Sequence, residues 1–165
     1  MANEKESMRP FVERISEVPI ARGDARSVGA LGALSERARS DAGLSRLRLT
    51  LEQPRALELL AGVFSGSTYL TSLIERDPAR LQRILETAPE VRAKELKSEL
   101  AAQLGMATTR AEAMRALRVY KAEVALLTAL ADLGGVWPVL SVTQALSECA
   151  DAALTGAVEF LFREA

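Results

Sequence analysis

The stretch from Thr109 to Gly135, TRAEAMRALRVYKAEVALLTALADLGG, decides the fold. Thr109 and Glu112 have the Thr-x-x-Glu spacing of a capping box, in which two side chains satisfy amide groups left free at a helix start. Gly134 and Gly135 follow the last periodic residues, where a glycine favours the left-handed turn that ends a helix. The stretch therefore predicts one long helix over about residues 109–133.

Two lines of apolar residues run along this helix. The first is Ala113, Leu117, Tyr120, Val124, Leu127 and Ala131, and the second is Val119, Leu126, Leu130 and Leu133. A helix with so wide an apolar surface must pack against neighbours on more than one side. We therefore expect both lines to be buried, with this helix at the centre of a bundle.

The composition indicates one helical domain, or one piece of a larger protein. Of 165 residues, 48% are hydrophobic and 26% are charged, but only 4% are aromatic. Leu and Ala favour helices, whereas the residues that favour strands are scarce. The net charge of −1, with acids and bases mixed, argues against a nucleic-acid surface. We predict an all-α fold, an irregular bundle of about seven or eight helices.

Prolines and acidic caps divide the rest of the chain. We predict that residues 1–23 are a mobile segment with one short helix between Pro10 and Pro19, and that residues 24–165 form the helical domain. Further helix starts carry an N-cap residue or an early proline. They are Asp24, Pro54, Ser67, Asp77 with Pro78, Pro89, and Pro138 or Ser141. The charged helix from Pro89, with four apolar positions (Val91, Leu96, Leu100 and Leu104), is expected on the outside.

Three places leave alternatives open. Gly29 and Gly32 weaken the first helix, or allow another helix to approach it closely. Residues 44–51 alternate like a strand, but no partner strand is visible, so we interpret them as a connector or a short helix. Residues 65–67, Ser-Gly-Ser, resemble a phosphate cradle but lack the lysine of a P-loop, so a helix break with a serine cap is favoured.

No residue stands out as catalytic, cofactor-binding or metal-binding. The chain has no histidine, which removes the usual triads and most zinc sites. The single cysteine, Cys149, is expected to be a small core residue rather than a reactive thiol, which needs an electropositive neighbourhood. One cysteine forms no internal disulfide, which fits a reducing cytosol. No Asp-x-Asp pair is present to hold the metal of nucleotidyl transfer.

Four charged residues on the long helix are candidates for contact with another domain. Arg115, Arg118 and Lys121 form a basic strip interrupted by Glu123. The strip is either a solvated helix face or a surface for an acidic partner domain. Asp132 lies at the negative end of the helix dipole, where an anion is unfavourable without a partner. We expect it to make a structural ion pair with an arginine, or else a functional contact.

The last helix has more apolar surface than one bundle needs. Its first line is Val142, Leu146, Cys149, Ala153 and Ala157, and its second is Val139, Ala150, Leu154, Val158 and Leu161. Residues 160–162, Phe-Leu-Phe, come directly before the end of the chain, with no glycine, asparagine or proline to stop the helix. We interpret this as a cut, with part of the surface belonging against something absent.

Three stretches resemble bacterial bifunctional glutamine synthetase adenylyltransferase/adenylyl-removing enzymes. They are FSGSTYLTSLIERDPARL at 64–81, ALRVYKAEVALLTALADLGG at 116–135 and LSECADAALTGAVEFL at 146–161. They occur in the family's order and cover about half of the chain. The resemblance implies that the chain is the helical region preceding the first nucleotidyltransferase domain, in the adenylyl-removing half.

The resemblance also implies a function for the whole enzyme. Such enzymes attach AMP to a tyrosine of glutamine synthetase, remove it, and respond to glutamine and the PII regulator. ATP and magnesium are expected for the parent enzyme, and no residue here is assigned to them. The expected partners are the adjoining nucleotidyltransferase domain, glutamine synthetase and a PII-type regulator, and neither nucleic acid nor a membrane. The expected location is the cytoplasm. The alternative is a self-contained helical adaptor without an enzymatic role.

Overall fold

The structure, a computed structural model, describes residues 8–164. This part of the chain forms eight α-helices and no strand, which confirms the all-α prediction. The helices are α1 (Ala25–Ser40), α2 (Ser45–Leu51), α3 (Pro54–Gly66), α4 (Thr68–Arg76), α5 (Pro78–Glu86), α6 (Pro89–Met106), α7 (Arg110–Leu133) and α8 (Val139–Glu164). Two short 3-10 helices, Phe11–Arg14 and Ala42–Leu44, precede α1 and α2.

The predicted caps set where the helices begin. Four N-cap side chains accept a hydrogen bond from the backbone amide three residues later: Asp24, Ser67, Asp77 and Thr109. Both halves of the Thr109–Glu112 capping box form. At the other end of α7, Gly135 has a φ of +61°, the left-handed conformation expected there. The interpretations of 44–51 as helical and of 65–67 as a capped break are also confirmed.

Helix α7 is the centre of the bundle and packs against α4, α5, α6 and α8. Leu126, Leu127, Leu130 and Ala131 are almost completely buried. The first apolar line is buried apart from the half-exposed Leu117. The prediction for Val119 is wrong, because this residue lines an open depression between α6 and α7 and is 38% exposed.

The short helix predicted after Pro10 ends early, at Arg14. Ile15 is extended, and the amides of Ser16 and Glu17 both donate to the carbonyl of Gly134, at 2.9 and 3.1 Å. The backbone therefore becomes extended after Arg14, and its amides provide hydrogen-bond donors to the Gly134 carbonyl at the end of α7. The mobility predicted for residues 1–23 stays a prediction.

The same N-terminal segment is joined to the bundle through Arg14 and Pro19. Arg14 donates to both carboxylate oxygens of Glu90, at 2.6 and 2.9 Å, and the indole of Trp137 donates to the same carboxylate at 2.8 Å. Burial acts to raise the pKa of Glu90, but these hydrogen bonds together lower it below the ordinary value. Pro19 lies so close to α3 that a Cβ on Gly62 would be 2.3 Å from its ring.

The close approach expected at Gly29 and Gly32 is wrong, whereas the outside position of α6 is confirmed. Gly29 and Gly32 do not allow a close helix approach, because a Cβ at either position would meet nothing within 4 Å. Helix α6 lies on the outside, since half of its 18 residues are exposed, and it buries Leu96, Leu100 and Leu104 as predicted, with Arg92 in addition. Val91 is only half-buried.

Membrane-spanning potential is low in the described helices. None of them is individually long and apolar enough to cross a bilayer, and only α3 and α4 taken together, bent by 120°, meet the length and composition required.

Candidate interaction surface on the last helix

Helix α8 attaches to the bundle along one side. Phe160 is buried, and Val142, Ala145, Cys149 and Ala152 pack against the core while remaining partly exposed. The helix crosses α6 at Gly156, where a Cβ would lie 2.4 Å from Leu104 Cδ1. The small residues on this side thus allow α8 to lie close to the rest of the bundle.

Polar contacts join α8 to the bundle near its middle and at its C-terminal end. Lys97 on α6 pairs with Glu148, and Arg110 Nε lies 2.7 Å from Glu164 Oε2. Arg163 donates from Nη2 to the carbonyl of Leu104 at 2.5 Å, which satisfies a group at the C-terminal end of α6. These contacts hold α8 in one orientation and so determine which of its residues point outward.

The opposite side of α8 is apolar and uncovered. We define the α8 apolar face as Val139, Leu146, Leu154, Val158 and Leu161, all of them exposed. Their spacings of seven, eight, four and three place them on one arc of about 120°. Thr143, Ser147 and Ala150 complete this arc and carry no charge. Leu154 is 68% exposed and Leu161 51%.

Such a face is unusual on a protein that works alone. Single exposed apolar residues are common, but contiguous apolar patches mark sites that bind another protein or domain. The face contains four of the five residues of the second predicted line, and it adds Leu146 from the first line, whose other members are partly buried. The expectation that part of this helix lacks its partner is consistent with these exposures.

The basic strip on α7 spreads over an arc of about 120°, and its two ends lie beside different neighbours. Arg115, Arg118 and Lys121 are all exposed and make no ion pair within residues 8–164. Their spacing of three rotates each residue by about 60° around the helix axis. Arg115 therefore lines the depression between α6 and α7. Lys121 lies beside α8, near enough to Cys149 for its charge to act on the thiol.

Asp132 is exposed on the last turn of α7, and no ion pair links it to another described residue. The structural ion pair considered for it is therefore not formed. Instead, its backbone carbonyl accepts a hydrogen bond from the Gly135 amide in the turn that ends the helix. Its carboxylate faces solvent, which reduces the cost of its position at the negative end of the dipole.

Cys149 is a packing residue, as expected. Burial raises the pKa of the thiol, while a hydrogen bond with Tyr120 and the charges of Lys121 and Lys97 act in the opposite direction without reversing it. A thiol with a raised pKa is a weak nucleophile. Burial also raises the pKa of Tyr120 well above its usual range.

The sequence interpretation missed the role of Glu123, which it treated as an interruption of the basic strip. Glu123 is 3% exposed and accepts from Arg83 at 2.7 Å. Arg80 Nε and Arg92 Nη2 lie 3.3 and 3.5 Å from the same carboxylate. This buried charge cluster joins α5, α6 and α7. The sequence does contain a pattern that predicts the burial of Glu123. It lies four residues before Leu127 and seven before Leu130, which places it on the buried side of α7.

Metal binding finds no support in this part of the chain. Within residues 8–164, no group of three or more His, Cys, Asp or Glu side chains is arranged to hold a metal ion.

Comparison with known proteins identifies the family. A family model described as glutamate-ammonia ligase adenylyltransferase matches residues 57–165, from within α3 through α7 and α8. The chain belongs to the glutamate-ammonia ligase adenylyltransferase family. The matched region includes all three stretches on which the resemblance depends, and the resemblance is confirmed.

Several relatives in this family are named bifunctional glutamine synthetase adenylyltransferase/adenylyl-removing enzyme. The one from Bradyrhizobium diazoefficiens is 43% identical over 120 residues, which are 73% of this chain and 12% of that protein. The one from Xanthobacter autotrophicus is 40% identical over 131 residues, 79% of this chain and 12% of that protein. A third, from Rhodopseudomonas palustris, is 45% identical over 105 residues, 64% of this chain and 11% of that protein.

This member of the adenylyltransferase family thus matches about an eighth of the length of these relatives. No solved structure matches the chain.

Proposed function

We propose that this chain is a non-catalytic helical part of a glutamine synthetase adenylyltransferase/adenylyl-removing enzyme. In this proposal it supports an adjoining nucleotidyltransferase domain, which docks on the α8 apolar face. The observation that carries the proposal is the exposure of that face in a chain of this family. The relatives are about eight times longer than the segment they share with it.

The shape of the α8 apolar face suits a packed domain. From Val139 to Leu161 the helix rises about 33 Å, roughly the diameter of a small domain. The face has no charge along this length, so covering it removes apolar surface from water without desolvating an ion. A domain that packs here would be held in a fixed orientation, because α8 is itself joined to α6 at Glu148 and Arg163.

Two basic residues of α7, Arg118 and Lys121, indicate the charge that the docked domain should carry at the edge of the contact. Lys121 lies beside α8, so a domain on the α8 apolar face would meet it at the edge of the contact. Charges at the rim of an interface affect orientation and association rate more than final affinity. We propose that the docked surface has acidic residues at this rim, which keeps Arg118 and Lys121 as domain-contact candidates. Arg115, in the depression between α6 and α7, and Asp132, exposed on the last turn of α7, remain candidates to which no contact with this face is assigned.

The chemistry of the whole enzyme belongs to other segments in this proposal. Transfer of AMP to a tyrosine of glutamine synthetase, its removal, and the ATP and magnesium these reactions use are assigned to the nucleotidyltransferase domains. Contact with glutamine synthetase or a PII-type regulator, and a cytoplasmic location, are part of the same proposal. The isolated chain is expected to be inactive.

The test is a chimera of the Bradyrhizobium diazoefficiens relative in which this chain replaces the segment that aligns with it. Leu154→Glu and Leu161→Glu together place two charges on the α8 apolar face. Leu49→Glu is the matched control, because Leu49 is an equally exposed leucine, at 55%, on α2. Transfer of AMP to glutamine synthetase and its release from the adenylylated form are measured for each protein.

The proposal predicts an active chimera, a Leu49→Glu variant with the same activity, and a double variant that loses at least one activity by tenfold or more. Circular dichroism of the isolated 165-residue variants shows that each still folds. Unchanged activities in the double variant would contradict the docking role and favour the adaptor alternative. AMP release by the isolated chain would contradict the non-catalytic role.

A further inference from the structure

A groove runs between α6 and α8, and it shares no residue with the α8 apolar face. Its volume is about 750 Å³, within the range of about 300–1,000 Å³ that is usual for binding pockets. Ala101 from α6 and Ala152 and the exposed Phe162 from α8 give it an accessible apolar lining, and the nearly buried Leu100 and Leu104 also border it. A Cβ at position 156 would lie 2.4 Å from Leu104 Cδ1, so a larger residue there would force the Leu104 side chain to move.

The border of the groove is negatively charged. Three carboxylates, Glu148, Asp151 and Glu159, line it together with two cations, Lys97 and Arg163. Lys97 pairs with Glu148, whereas Arg163 donates to the neutral carbonyl of Leu104 and keeps its charge, so the border carries one negative charge in excess. Asp151 and Glu159 are exposed and form no ion pair with any residue from 8 to 164.

The spacing of Asp151 and Glu159 along α8 suits contact with a second helix. They are eight residues apart on α8, which separates them by about 12 Å along the helix. An apolar lining with two anions along one edge matches an amphipathic helix that carries leucine-like residues on one face and Lys or Arg beside them. A purely apolar segment would leave both carboxylates without partners, and an acidic one would be repelled.

We propose that the α6–α8 groove is a docking site for a basic amphipathic helix of a partner protein. The apolar side chains of that helix contact Ala101, Ala152 and Phe162, and its cations pair with Asp151 and Glu159. This inference is independent of the domain assigned to the α8 apolar face, and either can fail without the other.

The probe is a synthetic helical peptide of about 14 residues, or four turns, with Leu at positions one helical turn apart and Lys on both flanks. A second peptide has Glu in place of every Lys. Fluorescence anisotropy measures the affinity of each labelled peptide for the whole chain and for a variant that combines Asp151→Lys with Glu159→Lys. Leu154→Glu is included as a variant of the other surface.

We expect the basic peptide to bind the chain at least tenfold more tightly than the acidic one, with an affinity that falls as salt rises. The charge-reversed variant should weaken the basic peptide by about tenfold and strengthen the acidic one, as two exposed ion pairs become two repulsions. Leu154→Glu should leave both affinities unchanged.

Two results would overturn the proposal. One is equal affinity for the two peptides, or no reversal in the double variant, because the carboxylates would then not select the ligand. The other is loss of binding in Leu154→Glu, which would place the peptide on the α8 apolar face instead. Failure of both peptides to bind would likewise refute it.

Discussion

Glu123→Ala removes the central carboxylate of the buried charge cluster and leaves Arg80, Arg83 and Arg92 without it. Removing one partner of a buried ion pair costs about 3–5 kcal/mol, because the remaining charge stays desolvated. The structure places the expected cost near the lower end of that range. Arg92 retains Glu99 at 2.7 Å and Glu95 at 3.1 Å. We therefore expect Glu123→Ala to lower the free energy of unfolding by about 3 kcal/mol.

Glu123→Gln separates charge from shape in the same cluster. The amide keeps one oxygen acceptor and the volume of the side chain, so it should cost only about half as much, roughly 1.5 kcal/mol. Urea denaturation followed by circular dichroism gives both values. Glu58→Ala is the control, because Glu58 is exposed on α3 and should change stability by less than about 0.5 kcal/mol. A cost below about 1 kcal/mol for Glu123→Ala would refute the assignment of this cluster as a buried junction of three helices.

Three further predictions test the fold. Gly62→Ala should destabilise the protein by about 1–3 kcal/mol, because the new Cβ would overlap Pro19. Gly29→Ala has open space around it and should stabilise α1 by up to about 1 kcal/mol. The same denaturation assay measures both. The pKa of Glu90 is lowered in the folded protein from its ordinary value of 4.5. Glu90 therefore adds to the free energy of unfolding at pH values above 4.5, and this contribution is lost as the pH falls through the folded-state pKa. Unfolding followed by the fluorescence of Trp137, the only tryptophan, should therefore show a smaller loss of stability in acid for Glu90→Gln than for the unaltered chain. Thr109→Ala should cost about 1 kcal/mol through loss of the cap on α7, measured by thermal unfolding, and no loss would contradict the capping box.

Local signals predicted much of the helical pattern. Asp77 with Pro78 and Thr109 with Glu112 act within a few residues of themselves, so their caps follow from the sequence alone. Where a predicted helix end differs from the structure, the end depends on contacts with residues distant in the sequence. The first 3-10 helix stops at Arg14 because the following amides bind the carbonyl of Gly134, more than a hundred residues away. No local pattern encodes that choice.

The candidate surface was predictable only in part. The apolar surplus on the last helix was visible, because two lines of apolar residues exceed what one packed side needs. Which line faces outward depends on the contacts of Gly156 and Arg163 with α6, and these require the fold. Glu123 was misinterpreted for the same reason. A glutamate beside basic residues on a helix is predicted to face solvent. Only the tertiary structure places arginines from two other helices around Glu123.

The central claim is that another part of the enzyme covers the α8 apolar face, and the labelling rate of a cysteine at position 154 tests it directly. Leu154→Cys and Leu49→Cys are prepared in the isolated chain and in the chimera, treated with a maleimide, and followed by mass spectrometry of the peptide that contains each site. The account predicts that Cys at 154 reacts quickly in the isolated chain and at least tenfold more slowly in the chimera, while Cys at 49 reacts equally fast in both. Equal rates at 154 in the two proteins would contradict it.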